Sequence, residues 1–136
     1  MESITWERIE RALAARRDII DITTVGRRTG EPRRIEIVFH NIDGRIIISG
    51  MPVPGRTRGW IRNLAADHRL TMHLKGPRAV ADLAATARII TDPAERRTLL
   101  EEVAKNWRRT DVDAMVAHSP LIEVTIPGYG SAAAAA

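Results

Sequence analysis

The sequence predicts an α+β protein whose strands form a barrel-like sheet. Six short segments rich in β-branched residues are separated by three or four segments with helical periodicity. The last apolar segment follows the last helical one, so it has to pair with strands that are distant in the sequence. Such non-local pairing is typical of closed antiparallel sheets.

Turn and capping residues set the boundaries of these elements. Ser3 is a possible N-cap for the first helix, and Asp43-Gly44 has the chemistry of a tight hairpin turn. Asp92 followed by Pro93 is a strong signal for the start of a helix. The predicted elements in chain order are a helix over 4–16, strands over 19–25, 34–42 and 45–49, a helix over 57–67, strands over 70–75 and 78–91, a helix that begins at 93, a short helix over 111–118 and a strand over 121–126.

The composition fits one domain. A chain of 136 residues can build one hydrophobic core but is too short for two. We therefore expect a single domain over residues 1–130 and a disordered tail over residues 131–136. No apolar run approaches the roughly 18 residues of a membrane-spanning helix, and no secretory signal is readable, so a cytoplasmic protein is expected.

Charge and cysteine content restrict the possible chemistry. Cysteine is absent, which excludes disulfides and thiolate nucleophiles, and the four histidines have no spacing that predicts a metal site. The net charge of +4 favours anionic partners. Aromatic residues make up only 4% of the chain, so nucleic-acid binding is not expected. The basic first helix leaves a peripheral contact with the inner face of a membrane open.

A basic turn between two predicted strands is the main candidate site. Forked guanidinium groups and exposed backbone donors suit phosphate or carboxylate, although a solvated hairpin loop with incidental charge would have the same composition. The segment lacks the Gly-Lys-Ser/Thr of a Walker loop. It reads Gly26-Arg27-Arg28-Thr29-Gly30-Glu31-Pro32-Arg33-Arg34.

Two motifs stand out along the chain. They are Thr23-Thr24-x-Gly26-Arg27-Arg28-Thr29-Gly30-x-Pro32-Arg33 and Trp60-x-x-Asn63-Leu64-x-Ala66. Together they resemble those of a known family, the deazaflavin-dependent nitroreductases, which are relatives of coenzyme F420-dependent quinone and nitro reductases. The resemblance covers roughly residues 19–91. It implies a split β-barrel of the FMN-binding, pyridoxamine-phosphate-oxidase-like kind, with about six antiparallel strands and three to four helices.

The resemblance also implies a function. It suggests an oxidoreductase that binds reduced coenzyme F420 and transfers hydride to a small quinone-like or unsaturated acceptor. The cofactor supplies the hydride, so no catalytic side chain is assigned. Carried over by position, the cofactor-binding residues are Arg27, Arg28, Thr29 and Arg33 at the phosphate and tail, Ser49 and Gly50 near the ring system, and Trp60 and Asn63 along the groove.

An alternative function stays open. Residues 50–59 differ from the loop that deazaflavin users commonly have, and the strand ending His73-Leu74-Lys75 resembles a divergent branch associated with fatty acids. The groove would then bind a fatty acid, with its carboxylate held by the basic turn, or FMN in place of coenzyme F420. Among the histidines His73 is the best candidate for a site residue, the other interpretation being a hydrogen-bonded structural histidine. The sequence leaves the oligomeric state open.

Overall fold

The computed structural model describes residues 5–130, so the predicted cap Ser3 and the predicted tail 131–136 lie outside the described residues. The elements in this range are α1 (Trp6–Leu13), β1 (Arg17–Val25), β2 (Pro32–Ile42), β3 (Arg45–Ser49), α2 (Gly59–Ala66), β4 (Arg69–Lys75), β5 (Val80–Ile89), α3 (Pro93–Trp107), α4 (Val112–His118) and β6 (Leu121–Thr125). None of these helices is both long and apolar enough to span a membrane.

The six strands form a closed antiparallel barrel. Their order around the barrel is β1-β2-β3-β6-β5-β4, and β4 pairs with β1 to complete the ring. The C-terminal strand β6 lies between β3 and β5, which is the long-range closure expected from the sequence. The predicted α+β barrel, with about six strands and three to four helices, is therefore confirmed.

The barrel has two hydrophobic clusters on opposite sides of its wall. The inner cluster contains Ile20, Ile22 and Met72 from the strands, and α1 and α2 contribute Leu13 and Leu64 to it. The outer cluster fills the space between α3, α4 and the outer face of β3 and β6. Since β3 is covered on both faces, Ile46, Ile47 and Ile48 are all buried, and the continuous apolar run in the sequence reflects this.

Local sequence signals explain most of the element boundaries. Asp43 and Gly44 have φ values of 52° and 86°, so both central residues of the β2–β3 turn are left-handed, as a tight hairpin turn requires. The side chain of Asp92 accepts a hydrogen bond from the backbone N–H of Glu95 at 2.9 Å, with Pro93 in the first turn. Both predicted signals are confirmed.

Strand pairing shifts some boundaries away from their predicted positions. β1 begins at Arg17 and β2 begins at Pro32, because the two strands stay in register from Arg17 opposite His40 to Val25 opposite Pro32. Pro32 fits at the first position of a strand, where its missing N–H costs no ladder bond. The early start of β1 also ends α1 at Leu13, three residues before the predicted end.

A buried histidine fastens α3 to the barrel. His40 is fully buried, and its Nδ1 accepts a hydrogen bond from Asn106 Nδ2 at 2.9 Å. Its ring also packs edge-on against Trp107, with 5.0 Å between the ring centroids. Burial, reinforced by the charge of Arg17, lowers the pKa of His40 from its ordinary value of 6.5 to about 4. The folded protein therefore keeps this ring neutral.

The pKa of His40 predicts a pH dependence of stability. Between pH 6.5 and about 4 the unfolded chain protonates His40 and the folded chain does not. The unfolded state then binds more protons, so the free energy of unfolding falls as the pH is lowered through this range, by up to about 3 kcal/mol. Urea denaturation at several pH values measures this loss.

The matched control is His40→Gln, which has no titrating ring at this position. Its free energy of unfolding is expected to fall less than that of the wild type over the same pH interval, because only carboxylates with a lowered pKa, such as those of Glu95 and Glu123, still contribute near pH 4. A wild-type protein that is equally stable at both ends of the interval would contradict the proposed burial of neutral His40.

Candidate functional site

A cavity of about 460 Å³ lies between the β1–β2 turn and the N-terminal end of α2. The sequence predicted two separate motifs at these positions, and the barrel brings them together across one cavity. Of the eight predicted cofactor-binding residues, the cavity is lined by Arg27, Arg28, Thr29, Arg33, Trp60 and Asn63.

Glycine and threonine give the basic turn its shape. The backbone N–H of Gly26 donates to the carbonyl of Glu31 at 2.8 Å, and a Cβ at position 26 would lie only 2.8 Å from that oxygen. Gly30 has φ +76°, which L side chains rarely adopt. The hydroxyl of Thr29 accepts the N–H of Glu31 at 3.2 Å. The turn is therefore closed by hydrogen bonds that do not use its arginine side chains.

Asn63 joins α2 to this turn. Its Oδ1 accepts from the backbone N–H of Arg27 at 3.2 Å and from Arg27 Nη1 at 3.0 Å. Its Nδ2 donates to the hydroxyl of Thr24 at 3.0 Å. Asn63 is 4% exposed, so these bonds are shielded from water. Asn63 therefore fixes both the turn and the guanidinium of Arg27 relative to the helix.

The electrostatics of the cavity favour an anion. Five arginines line it, and within residues 5–130 none of them has a carboxylate within 4.0 Å. The positive end of α2 also points here, since Gly59 and Trp60 line the wall and the first turn of α2 has no acidic residue. The five residues are Arg27, Arg28, Arg33, Arg56 and Arg58.

Among the five arginines of this cavity, Arg58 is partly desolvated. Its Nη2 donates to the carbonyl of Met51, whereas its Nη1 is buried and has no hydrogen-bond partner. Burial, and then the charge of Arg56, lowers the pKa of Arg58, although a guanidinium stays protonated at neutral pH. A buried cation without a partner is unfavourable until an acceptor atom approaches it.

A second cavity of about 540 Å³ lies on the other side of Arg56 and Arg58, which line both spaces. Its wall combines apolar side chains, such as Ile61, Ile89 and Leu121, with the charged Arg96 and the polar His118. The loop between β3 and α2 therefore separates the cationic cavity at the basic turn from a larger cavity of mixed lining.

Comparison with known proteins assigns the family. The sequence model of the F420H(2)-dependent quinone reductases matches residues 7–127. The chain belongs to this family. No curated protein matches the sequence significantly.

Solved structures share the fold of this family member at low sequence identity. A structure described as an F420 reductase is 17% identical, with a TM-score of 0.62 and coverage of 96% of this chain and 98% of that one. Conserved hypothetical protein Rv2991 from Mycobacterium tuberculosis is 19% identical, with a TM-score of 0.66 and coverage of 92% and 82%. An F420-H2 dependent reductase, FDR-A, is 16% identical, with a TM-score of 0.59 and coverage of 79% and 93%.

Two of the predicted cofactor-binding residues lie beside these cavities without lining them. Ser49 is 1% exposed, and its hydroxyl donates to the carbonyl of Pro120 at 2.7 Å. A Cβ at Gly50 would lie 3.0 Å from Cγ of Pro120 and 3.7 Å from Nη2 of Arg58. The contacts of Ser49 and Gly50 thus hold the end of β3 against the segment that leads into β6, and their direct contact with a cofactor stays a prediction.

The contacts of His73 are those of a structural histidine. One ring nitrogen, Nε2, lies 2.6 Å from the hydroxyl of Thr23, and Nδ1 lies 2.7 Å from Oδ1 of Asp82. These bonds join β1, β4 and β5, and His73 lines neither of the two cavities. Among residues 5–130 no group of three or more metal-ligating side chains is present.

Sequence reasoning missed Arg56, Arg58 and Ser119 among the residues that line the two cavities. Arg56 and Arg58 form an Arg-x-Arg pair immediately before the Trp60 helix, and this pair is the signal that could have identified them. Ser119 had no local signal, because it reaches the second cavity through the closure of the barrel by β6.

The close approach at Gly26 predicts a cost for adding a single methyl group. Gly26→Ala would place Cβ 2.8 Å from the carbonyl oxygen of Glu31, so the turn has to open. We expect a loss of about 1–3 kcal/mol in the free energy of unfolding, measured by urea denaturation.

The control is Gly59→Ala, where a Cβ would meet no heavy atom within 4 Å. This variant is expected to be as stable as the wild type or slightly more stable, because alanine favours helices over glycine. Equal losses in the two variants would contradict the tight closure of the turn.

Proposed function

We propose that this protein is an oxidoreductase that binds reduced coenzyme F420 in the cationic cavity and transfers hydride to a quinone-like or unsaturated acceptor. The observation that carries the proposal is the convergence of five arginines without carboxylate partners on the positive end of α2. The family supplies the chemical identity of the cofactor. When bound, reduced coenzyme F420 supplies the hydride.

The residues of the cavity fit the anionic part of that cofactor. Arg27, Arg28 and Arg33 offer forked donors for a phosphate and for the carboxylates of the oligoglutamate tail. Thr29 shapes the turn that presents them. Asn63 already holds the side chain of Arg27 in place. Binding of the cofactor therefore loses less conformational entropy at Arg27 than it would at a mobile side chain.

The ring system needs a different surface from the tail. Trp60 offers an apolar wall at the end of the cavity where α2 begins, and it is 9% exposed. We assign Ser49 and Gly50 to the same end, where they support the loop that separates the two cavities. The adjoining cavity provides room for a small acceptor next to the ring.

The neighbouring residues Arg33 and Arg34 provide a matched test of the anion site. Arg33 lines the cavity, whereas Arg34 forms an ion pair with Asp21 at 2.9 Å outside it. Arg33→Gln is expected to weaken binding of coenzyme F420 about tenfold, the loss of one charge-assisted contact. Arg34→Gln is expected to leave the affinity unchanged. Quenching of tryptophan fluorescence, with Trp60 at the cavity wall, measures the Kd.

Salt and competing ligands complete this test. Binding through the arginines should weaken as the salt concentration rises, because screening reduces the attraction between exposed charges. Equal affinity of the Arg33→Gln and Arg34→Gln variants would contradict the placement of the tail. Saturable binding of FMN or of a long-chain fatty acid, without saturable binding of coenzyme F420, would favour the alternative ligands over the proposal.

A further inference from the structure

We infer that this protein has a second reactive site on the outer face of the barrel, where Thr23, His73 and Asp82 act as nucleophile, general base and orienting carboxylate in the cleavage of small esters. The three residues lie on β1, β4 and β5. None of them is among the residues assigned to the cofactor, so the inference goes beyond the proposed function and does not depend on it.

The three side chains form one continuous chain of hydrogen bonds. Oγ1 of Thr23 lies 2.6 Å from Nε2 of His73, and Nδ1 of His73 lies 2.7 Å from Oδ1 of Asp82. A carboxylate can only accept, so in the neutral ring Nδ1 has the proton and Nε2 is left as an acceptor. The hydroxyl of Thr23 therefore donates to Nε2. This is the order of contacts in a Ser-His-Asp triad, which is recognised by geometry and not by sequence position.

Strand pairing brings these residues together on one face of the sheet. His73 is paired with Asp82, and Thr71, two residues before His73, is paired with Thr23. Side chains alternate along a strand, and Met72, between Thr71 and His73, belongs to the inner cluster. The four polar side chains therefore lie on the outside of the barrel. The ladder of three strands fixes the positions of the nucleophile and the base relative to each other.

A third cavity, of about 490 Å³, gives access to Thr23. It is lined by the short side chains of Thr23, Thr71 and Ala84, which are neighbours on three adjacent strands. His73 itself is 7% exposed, so its ring is largely shielded from water. A histidine that only joined strands would need no cavity beside its partner, whereas a nucleophile has to be reached by its substrate.

Thr71 provides a second hydroxyl next to the nucleophile. It is directly opposite Thr23 in the antiparallel pairing and lines the same cavity. The Cβ atoms of such pairs are about 4.5–5.5 Å apart. One carbonyl group can therefore present its carbon to Thr23 and its oxygen to Thr71. We assign Thr71 as the donor that stabilises the negative charge on this oxygen in the tetrahedral intermediate.

The rest of the cavity wall limits the class of ester. Val25 and Pro127 add apolar surface. Arg69 also lines the cavity, but the two carboxylate oxygens of Asp67 accept hydrogen bonds from its guanidinium at 2.7–3.0 Å. The charge of Arg69 is therefore neutralised within the protein. These features favour an uncharged ester with a short apolar acyl group.

The reaction follows from the assigned roles. Oγ1 of Thr23 forms a bond to the carbonyl carbon of the ester while its proton moves to Nε2 of His73. The bond between the carbonyl carbon and the alkoxy oxygen then breaks, and the leaving alcohol takes this proton. Water, deprotonated by the same ring nitrogen, attacks the acyl-threonine ester. The carboxylic acid is released, and the hydroxyl of Thr23 is restored.

The test is the acylation of cofactor-free protein by p-nitrophenyl butyrate. Wild-type protein quenched during the first turnover is expected to have one butyryl group on Thr23, located by mass spectrometry of its peptides. Hydroxylamine removes a butyryl ester but not an amide on Lys75 or Lys105, the two lysines of the sequence. Unspecific acylation of amines is thereby distinguished from the reaction at Thr23.

Four variants test the three roles through the rate of p-nitrophenol release. Thr23→Val removes the nucleophile with little change in size and is expected to reduce the rate to the background without protein. Thr23→Ser keeps a hydroxyl and is expected to retain activity. His73→Gln is expected to lower the rate about a hundredfold or more, as for loss of a general base. Asp82→Asn is expected to lower it about tenfold or less, because its side chain is 74% exposed and water screens its charge.

Thr125→Val is the matched control, since it makes the same change at an exposed strand position outside this cavity. It is expected to keep the wild-type rate. Equal rates for wild type and folded Thr23→Val, or no butyryl group on Thr23 in the quenched samples, would overturn the inference. If Thr23→Val does not fold, the position of the butyryl group on the wild-type protein decides. Failure of coenzyme F420 to bind would change none of these results, so the proposed function and this inference are tested separately.

Discussion

The contact on which the site depends is the set of hydrogen bonds made by Asn63. Its amide joins α2 to the last residues of β1 and to Arg27. Without this contact the basic turn would be an ordinary hairpin loop, free to move away from the helix. A short polar side chain at this position can accept from Arg27 and donate to Thr24 at the same time, which an apolar residue or a lysine cannot do. Trp60, one turn earlier, then faces the arginines from a fixed distance.

Holding five arginines around one space has an electrostatic cost. The mutual repulsion of these charges is reduced by solvent where the side chains are exposed, and it is least reduced at Arg58. Elsewhere on the barrel the arginines are neutralised, as Arg45 and Arg88 are by Glu95 and Glu123. The difference indicates that the cavity is arranged for a ligand that brings its own negative charge. An anion bound there relieves the repulsion as well as forming new hydrogen bonds.

The fold could be predicted from the sequence because its strands, turns and helix starts have local sequence signals. Each of these signals depends on residues that are neighbours in the sequence. Examples are the β-branched runs, the Asp43-Gly44 turn and the Asp92-Pro93 helix start. Boundaries such as the start of β1 were set instead by pairing with a distant strand. The same distinction applies to the site. The two motifs indicated most of the cationic cavity, whereas Ser119 lines the second cavity because β6 closes the barrel beside β3. No local sequence pattern indicates that Ser119 lies at this cavity.

This closure also explains why the two cavities can have different chemistry although they share a wall. The β3–α2 loop passes between them, with Arg56 and Arg58 on it, and its first residues are packed against Pro120 by Ser49 and Gly50. One side of the loop faces the basic turn, whose arginines have no carboxylate within 4.0 Å in the described residues. The other side faces the residues that lead into β6, where Ile89 and Leu121 line the wall together with Arg96 and His118. A cationic group on the dividing loop can therefore act on both ligands, and Arg58, which has donors but no carboxylate, occupies that position.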